Sequence, residues 1–227
     1  MSPFERIHQA YNDVTQNTLK LWERSDGCGS VRDKPFYHPT KLAFSSGNRP
    51  ELGPELLLLL SAMQEVTQDD PLADLNPASG VHFSFFPISN ALYDSVGQAD
   101  EREEVAAIFN RCCAGHVMHI SQLRLVALPN QILLAGIPDQ QSLDVRKRLA
   151  GALLDSRWQD NVRARYPSGD IPQLFWHSTL LRYNAEFISP ELHALFLRFQ
   201  NHNFGDISLP VRLVMCNYNW QQVEFLA

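Results

Sequence analysis

The sequence has too few basic residues to surround itself with a positive field. It carries 19 lysines and arginines against 25 aspartates and glutamates, a formal net charge of −6. Proteins that hold long stretches of duplex DNA rely on an excess of Lys and Arg to neutralise phosphates. The charge therefore argues against duplex DNA as a partner and favours a small or single-stranded substrate held in a local basic pocket.

Cysteines are also scarce and form no recognisable pattern. The four are Cys28, Cys112, Cys113 and Cys216. Their spacing matches neither a disulfide framework nor a zinc site, and two adjacent cysteines are poorly placed to bridge each other. We expect reduced thiols and a cytoplasmic protein.

Long hydrophobic runs are missing as well. The longest leucine run, residues 56–60, is far shorter than the roughly 20 apolar residues that cross a bilayer. The first residues are amphipathic and lack the basic and then apolar order of a secretory signal. The sequence therefore predicts no membrane association.

What the chain does have is the composition of a folded protein. Hydrophobic residues make up 44% and aromatic residues 10% of its 227 residues, and no break in composition divides it. We expect a single domain over residues 1–227. Residues 1–36 would form an N-terminal helix and loop extension, about 40–128 a first lobe and about 131–227 a second lobe.

Helical and extended patterns alternate along the chain. Ser2, Pro3 and Glu5 predict a capped helix start, and apolar residues then follow at helical spacing as far as Leu21. Further helices are predicted over 53–66, 100–113 (capped by Asp100), 143–158 (capped by Ser142) and from Ser189 to about 200. Strands are predicted over 40–45, 81–89, 117–128, 131–138, 173–183 and 207–220.

Two of the predicted strands carry the same polar pair. In VHFSFFPIS, residues 81–89, alternation places His82 and Ser84 on one face, and in FWHSTLLRY, residues 175–183, it does the same for His177 and Thr179. Each pair ends a strand–helix–strand unit, so the chain reads as two related copies. We predict an α+β fold in which two pseudo-symmetric lobes form a concave, mostly antiparallel sheet with helices outside, and the two histidines face each other across one groove.

Two histidines and two hydroxyls suit the cleavage of a phosphodiester without a metal. The ordinary pKa of histidine, near ~6.5, allows one imidazole to act as a base and the other as an acid at neutral pH. A hydroxyl in each half supplies a donor for the non-bridging phosphate oxygens.

The two motifs, HFS at 82–84 and HST at 177–179, resemble the paired H-x-T/S motifs of the two-histidine (2H) phosphoesterase superfamily. That superfamily includes RNA 2′,5′-ligase-like proteins and cyclic phosphodiesterases. The resemblance extends to the order of elements from about residue 40 to 220. It implies that His82 and His177 are the acid–base pair and that Ser84 and Thr179 bind phosphate. It further implies no cofactor, and a substrate that is a 2′,3′-cyclic phosphate, an ADP-ribose cyclic phosphate, an RNA end or a 2′,5′-linked oligonucleotide.

Other candidate residues follow from position alone. Tyr183 shares the face of His177 by alternation and is a candidate for lining the groove, whereas Arg182 falls on the opposite face. Tyr37 and Lys41, close to the first strand, are further groove candidates. We interpret the basic run at 146–148 as a solvated helix face.

Two alternatives to a nucleotide phosphodiesterase stay open at this point, a binding module and an enzyme that acts on a non-nucleotide phosphoester or cyclic ligand. The segment CCAGHVMH brings Cys112, Cys113, His116 and His119 together in sequence, but their spacing fits no common zinc pattern, so we predict no metal site. A module that binds a nucleotide or an RNA end without turning it over would need the hydroxyls but has no reason to keep both imidazoles. The sequence assigns no protein partner.

Overall fold

A computed structural model describes residues 1–98, 102–167 and 169–226 and places its strands in two sheets. The strands in chain order are β1 (Ala43–Asn48), β2 (Ala73–Leu75), β3 (Phe83–Pro87), β4 (Val117–Leu128), β5 (Gln131–Pro138), β6 (His177–Tyr183), β7 (Ile207–Pro210), β8 (Arg212–Cys216) and β9 (Val223–Phe225). The helices are α1 (Pro3–Arg24), α2 (Pro54–Thr67), α3 (Arg102–Cys113), α4 (Gln140–Leu154), α5 (Gln159–Arg165) and α6 (Pro190–Phe199), with short 3-10 turns at Ala78–Gly80 and Val96–Gln98.

The two sheets repeat one arrangement. One has the order β3–β1–β8–β9 and the other β2–β6–β5–β4–β7, and the strand pairs are antiparallel. In each sheet a middle strand, β1 or β5, is followed along the chain by a helix, α2 or α4. The chain then returns to the neighbouring strand in the same sheet, β3 or β6, whose first residues belong to a histidine motif. The predicted α+β class with antiparallel strands is confirmed, and the predicted repeat corresponds to these two units.

The first helix is fixed at its start by its own sequence and in its middle by a tyrosine. Ser2 and Glu5 form the predicted capping box. The hydroxyl of Tyr11 donates to the Gly136 carbonyl at 3.0 Å and accepts from the Trp176 N–H at 2.9 Å. This side chain therefore ties α1 to β5 and to the segment that leads into β6.

The cap predicted for α4 is wrong. Asp139 is the N-cap and accepts from the backbone N–H of Ser142 at 2.7 Å, so the helix begins earlier than expected. Ser142 is buried inside the first turn, where its hydroxyl accepts from the His119 N–H at 3.3 Å and lies 3.2 Å from His116 Nε2. The cap predicted at Asp100 falls outside the described residues.

The last predicted strand is two strands in different sheets. β7 pairs with β4, whereas β8 pairs with β1, and the chain passes between them at Val211, whose N–H donates to the His116 carbonyl at 2.9 Å. Two further elements, β2 and α5, lie where the sequence predicted loops. None of the helices in the described ranges has the length and apolar character needed to traverse a lipid bilayer.

Candidate functional site

Strand β3, which begins within the first motif, contains one extra residue relative to its partner β1. Across β1 and β3, Gly47 pairs with Ser84 and the next residue back, Ser46, pairs with Phe86, so that Phe85 has no partner in the register. An extra residue of this kind is a β-bulge, and it reverses the alternation of side chains beyond it.

The strand of the second motif has the same irregularity at the same place. Across β5 and β6, Leu133 pairs with Thr179 and Ile132 pairs with Leu181, which leaves Leu180 as the extra residue. In both halves the bulge directly follows the hydroxyl residue of the motif. The two halves are thus related in backbone detail as well as in the order of their elements.

The bulge overturns one prediction about β6. Beyond it, Arg182 lies on the pocket side with His177 and Thr179, and Tyr183 does not line the pocket. The Tyr183 hydroxyl instead donates to Asp70 Oδ2 at 2.9 Å. Tyr183 is therefore a buried structural residue, and the arginine that alternation placed on the opposite face belongs to the pocket.

The four motif residues line one pocket of about 320 Å³. His82 lies immediately before β3, and His177 is the first residue of β6. The N–H of His82 donates to Ser178 Oγ at 3.2 Å, a hydrogen bond that holds the two halves together beside the pocket. The predicted convergence of His82, His177, Ser84 and Thr179 is present, although their chemical roles remain predictions.

The His82 ring is held from two directions. It stacks on Trp220 with ring centroids 4.6 Å apart and planes inclined by 10°. Its Nδ1 lies 2.7 Å from the Gly80 carbonyl oxygen, so Nδ1 carries the hydrogen and neutral His82 has Nε2 as its proton acceptor. Gly80 is required here because a Cβ at this position would lie 2.4 Å from Asn76 Oδ1 and 2.5 Å from the Asn219 carbonyl.

The His177 ring is held differently. Its edge-to-face neighbour is Phe175, with centroids 6.3 Å apart and planes inclined by 84°. Its Nδ1 is buried and has no hydrogen-bond partner among the described residues. The two histidines therefore differ in the environment of Nδ1, although their motifs match.

Three arginines line the pocket, and the described residues of its wall include no aspartate or glutamate. They are Arg146, Arg165 and Arg182. Arg182 is only 7% exposed and lies over the rings of Tyr37 and Tyr218, at 5.3 and 5.1 Å from their centroids. A locally basic pocket thus occurs within a chain of net negative charge, and its chemistry suits an anion.

The interpretation of residues 146–148 as a solvated face is wrong for the first of them. Arg146 is only 4% exposed and lines the pocket, whereas Lys147 and Arg148 are exposed. The helical periodicity of 3.6 residues per turn explains the difference, because only one of these three consecutive residues faces inward.

Of the two remaining candidates for lining the groove, one lies in the pocket wall and the other does not. Tyr37 lines the pocket and stacks on Tyr218, with ring centroids 5.6 Å apart. Lys41 does not line it and instead forms an ion pair with Asp94 at 2.7 Å. Of these three candidates, the structure therefore places Tyr37 in the pocket wall and Lys41 and Tyr183 outside it.

The cysteine and histidine segment that was weighed as a metal site forms ordinary structure. Cys112 and Cys113 are buried at the end of α3, and His119 Nδ1 lies 2.7 Å from Ser208 Oγ on the neighbouring strand. Over the described ranges, no three His, Cys, Asp or Glu side chains are grouped as a metal would require.

Burial and the arginines keep both pocket histidines neutral. Desolvation, followed by the charge of Arg182, lowers the pKa of His82 to about 3, against the opposing effect of the Gly80 carbonyl. Desolvation, followed by the charges of Arg146 and Arg182, lowers the pKa of His177 to about 4. In the free protein at neutral pH, both imidazoles are therefore proton acceptors.

These depressed pKa values predict a loss of stability in mild acid. Below the unfolded-state pKa near ~6.5, the unfolded chain takes up protons at both histidines that the folded chain does not, so the free energy of unfolding falls with pH. Between pH 6.5 and pH 5 the two groups together should cost about 2 to 3 kcal/mol. Urea unfolding at both pH values checks this, and a His82→Gln/His177→Gln variant should lose correspondingly less. An equal loss in parent and variant would place the acid sensitivity elsewhere.

Comparison with known proteins gives similarity in three dimensions only. No known protein-family model matches the sequence, and no curated protein matches it. Among solved structures, TT0787 of Thermus thermophilus is 14% identical with a TM-score of 0.52, over 82% of this chain and 95% of that one. LigT of E. coli in complex with 3′-AMP is 14% identical with a TM-score of 0.47, over 83% and 94%. A protein described as a phosphoesterase is 11% identical with a TM-score of 0.45, over 83% and 94%.

The similarity to TT0787 shows that the chain has a fold already seen in solved structures. That similarity is one of fold alone. At such low identity it carries no information on substrate or catalysis, which have to be argued from the pocket itself. Together, the fold and the pocket define an α+β protein in which paired histidines lie in an arginine-lined groove.

Proposed function

We propose that the protein is a metal-independent phosphodiesterase that hydrolyses a nucleotide phosphodiester by paired-histidine acid–base catalysis. The observation that carries the proposal is the pocket itself, where two imidazoles and two hydroxyls meet among arginines, with no carboxylate among the described lining residues. A phosphodiester is a permanent anion, so such a wall attracts it, and the arginines offset the charge that develops on phosphorus-bound oxygens. The substrate is a 2′,3′-cyclic phosphate, an ADP-ribose cyclic phosphate or a short RNA or 2′,5′-oligonucleotide linkage.

The environment of Nδ1 supports one assignment of the two roles, with His82 as base and His177 as acid. Because the Gly80 carbonyl holds the hydrogen on Nδ1 of His82, Nε2 of this residue takes the proton from the attacking water. The water oxygen bonds to phosphorus, the bond from phosphorus to the ribose oxygen breaks, and His177 donates a proton to that oxygen. Ser84, Thr179 and Arg182 hold the non-bridging oxygens.

His177 must be protonated before it can act as the acid, and the bound substrate favours this protonation. In the free pocket the arginines disfavour a charged His177, whereas a bound phosphate places a negative charge beside the ring and favours the imidazolium. Binding of the anion is therefore coupled to proton uptake. This coupling restricts the active protonation state to the substrate complex.

One observation favours the other candidate function, a module that binds a nucleotide without turnover. Both imidazoles are neutral in the free protein at pH 7, so neither is a ready acid there. If bound phosphate does not restore the proton on His177, the pocket would hold the anion through its arginines and hydroxyls alone.

A turnover assay in the presence of a chelator separates the two functions. The panel consists of 2′,3′-cyclic nucleotides, 3′,5′-cyclic nucleotides, ADP-ribose cyclic phosphate and 2′,5′-linked dinucleotides, each with the parent and a His82→Ala/His177→Ala variant. We expect the parent alone to turn over at least one substrate with the chelator present, and the product isomer then identifies the leaving oxygen. Binding by calorimetry without turnover of any substrate would favour the binding module and contradict the phosphodiesterase.

A further inference from the structure

Arg146 is a buried charge that has no partner of opposite charge within the described ranges. It extends from α4 into the pocket, is 4% exposed, and has its guanidinium 4.4 Å from the centroid of the Trp176 ring. Nη1 donates to the Phe175 carbonyl at 3.3 Å, and Nε is buried without a hydrogen-bond partner in the described structure. Neither of the two ion pairs found among the described residues involves it.

Such an arrangement is costly unless an anion occupies it. A guanidinium removed from water needs opposite charge or a full set of acceptors, and here it has one carbonyl and one aromatic face. Burial lowers the pKa of Arg146 only to about 10, so the side chain stays charged at neutral pH. The buried charge and the unpartnered Nε of its planar fork therefore favour an anion in the pocket beside it.

Arg146 lies on one side of the pocket. Among the charges that lower the pKa of His177 it has the largest effect, whereas the charges that act in this way on His82 are Arg182, His177 and Arg49. Its two contacts, Phe175 and Trp176, lie directly before His177 in the chain. Arg146 is thus beside His177, whereas Arg182 lies over the rings of Tyr37 and Tyr218.

We propose that Arg146 forms a second anion subsite, which binds a phosphate group of the substrate other than the one that is cleaved. The inference rests on the proposed function, in which His177 protonates the leaving ribose oxygen. The ribose of the leaving group then lies on the His177 side, and a 5′-phosphate or 5′-pyrophosphate on that ribose meets Arg146. The preferred substrate class is accordingly a ribose cyclic phosphate that carries a second phosphate at its 5′ position.

A matched pair of substrates tests this subsite. Adenosine 2′,3′-cyclic phosphate and the same compound with a 5′-phosphate differ only in the second anion, and ADP-ribose cyclic phosphate adds an arm with a pyrophosphate. For the parent we expect kcat/KM to be roughly 10- to 100-fold higher with the second phosphate, the range of one charge-assisted hydrogen-bonded contact. In Arg146→Gln the ratio should fall to about one. In Lys147→Gln, which removes an exposed charge from the same helix, it should stay at the parent value.

Each outcome of this experiment either supports or overturns the second anion subsite at Arg146. Equal turnover of the pair by the parent would overturn the subsite and leave the proposed function intact. If Arg146→Gln does not fold by circular dichroism, Arg146→Met replaces it. Methionine keeps an unbranched side chain but has neither the charge nor the donors of arginine, so an unchanged ratio would overturn the subsite.

Failure of the proposed function is distinguishable from failure of the subsite. If the parent turns over none of these compounds, calorimetric titration with inorganic pyrophosphate takes the place of kinetics. Binding that weakens at least ~10-fold in Arg146→Gln, and not in Lys147→Gln, supports the subsite without any catalysis. Equal binding by all three proteins, or no binding by the parent, overturns it.

Discussion

Replacing either His82 or His177 by alanine is expected to lower kcat by roughly 10²- to 10⁴-fold, because each removes one of the two proton transfers of the reaction. The double variant should be little slower than the slower single variant, since the two groups act in one step and their effects are not additive. The measurement is the kcat of each variant on the best substrate of the panel, with folding checked by circular dichroism.

Three variants serve as controls for this result. Ser84→Ala and Thr179→Ala each remove a single donor to phosphate and should lose activity by about 10²-fold. His119→Ala removes an exposed histidine on β4 that is hydrogen-bonded to Ser208 outside the pocket, and it should keep the parent rate. Full activity in a folded His82→Ala or His177→Ala variant would exclude the two-histidine mechanism.

The motif pair was predictable from sequence because its signal is local. A histidine and a hydroxyl two residues apart share a strand face whatever the remainder of the chain does. The recurrence of strand, helix and motif then indicated the repeat, which the structure contains as two antiparallel units. Capping chemistry was equally local at Ser2 and Ser189, both of which cap the predicted helices.

The arginines of the pocket were not predictable in the same way. Arg182 was assigned to the wrong face because a β-bulge at Leu180 depends on the pairing of β6 with β5 and has no signature in the strand itself. The equivalent bulge at Phe85 places Pro87 in the pocket by the same reversal. The bulges in β3 and β6 depend on how these strands pair with β1 and β5. The sequence does not show that pairing register, so comparing the two motif strands would not have revealed the bulges.

Arg146 was missed for a different physical reason. In a run of three basic residues, the composition indicates solvent, and only the rotation of α4 against its neighbours decides which residue faces inward. The start of that helix was itself misplaced, because Asp139 and Ser142 are both good cap residues and the choice depends on tertiary contacts of Ser142 with His116 and His119. The charge of the pocket therefore depends on tertiary structure, whereas its pair of histidines can be predicted from the sequence.

Among the described charges of the pocket, Arg182 alone lowers the pKa of both His82 and His177, and it lies on the same strand as Thr179, the proposed phosphate-binding residue. It therefore has two effects that separate experimentally. In the proposed reaction it binds the anion in the ground state and the transition state, and it sets the pH at which the proposed base becomes available.

Arg182→Gln should accordingly lower kcat/KM by about 10²- to 10³-fold, the effect of losing one charged donor to a developing oxyanion. It should also move the acidic limb of the pH profile of kcat/KM to higher pH, because loss of a nearby positive charge raises the pKa of His82 and His177. Arg182→Lys keeps the charge, so its acidic limb should stay near that of the parent while the loss of the planar fork still lowers the rate. If Arg182→Gln lost activity without any shift of the limb, the arginine would act on phosphate alone. A folded Arg182→Gln variant with the rate and pH profile of the parent would contradict both effects and with them the place of Arg182 in the pocket's chemistry.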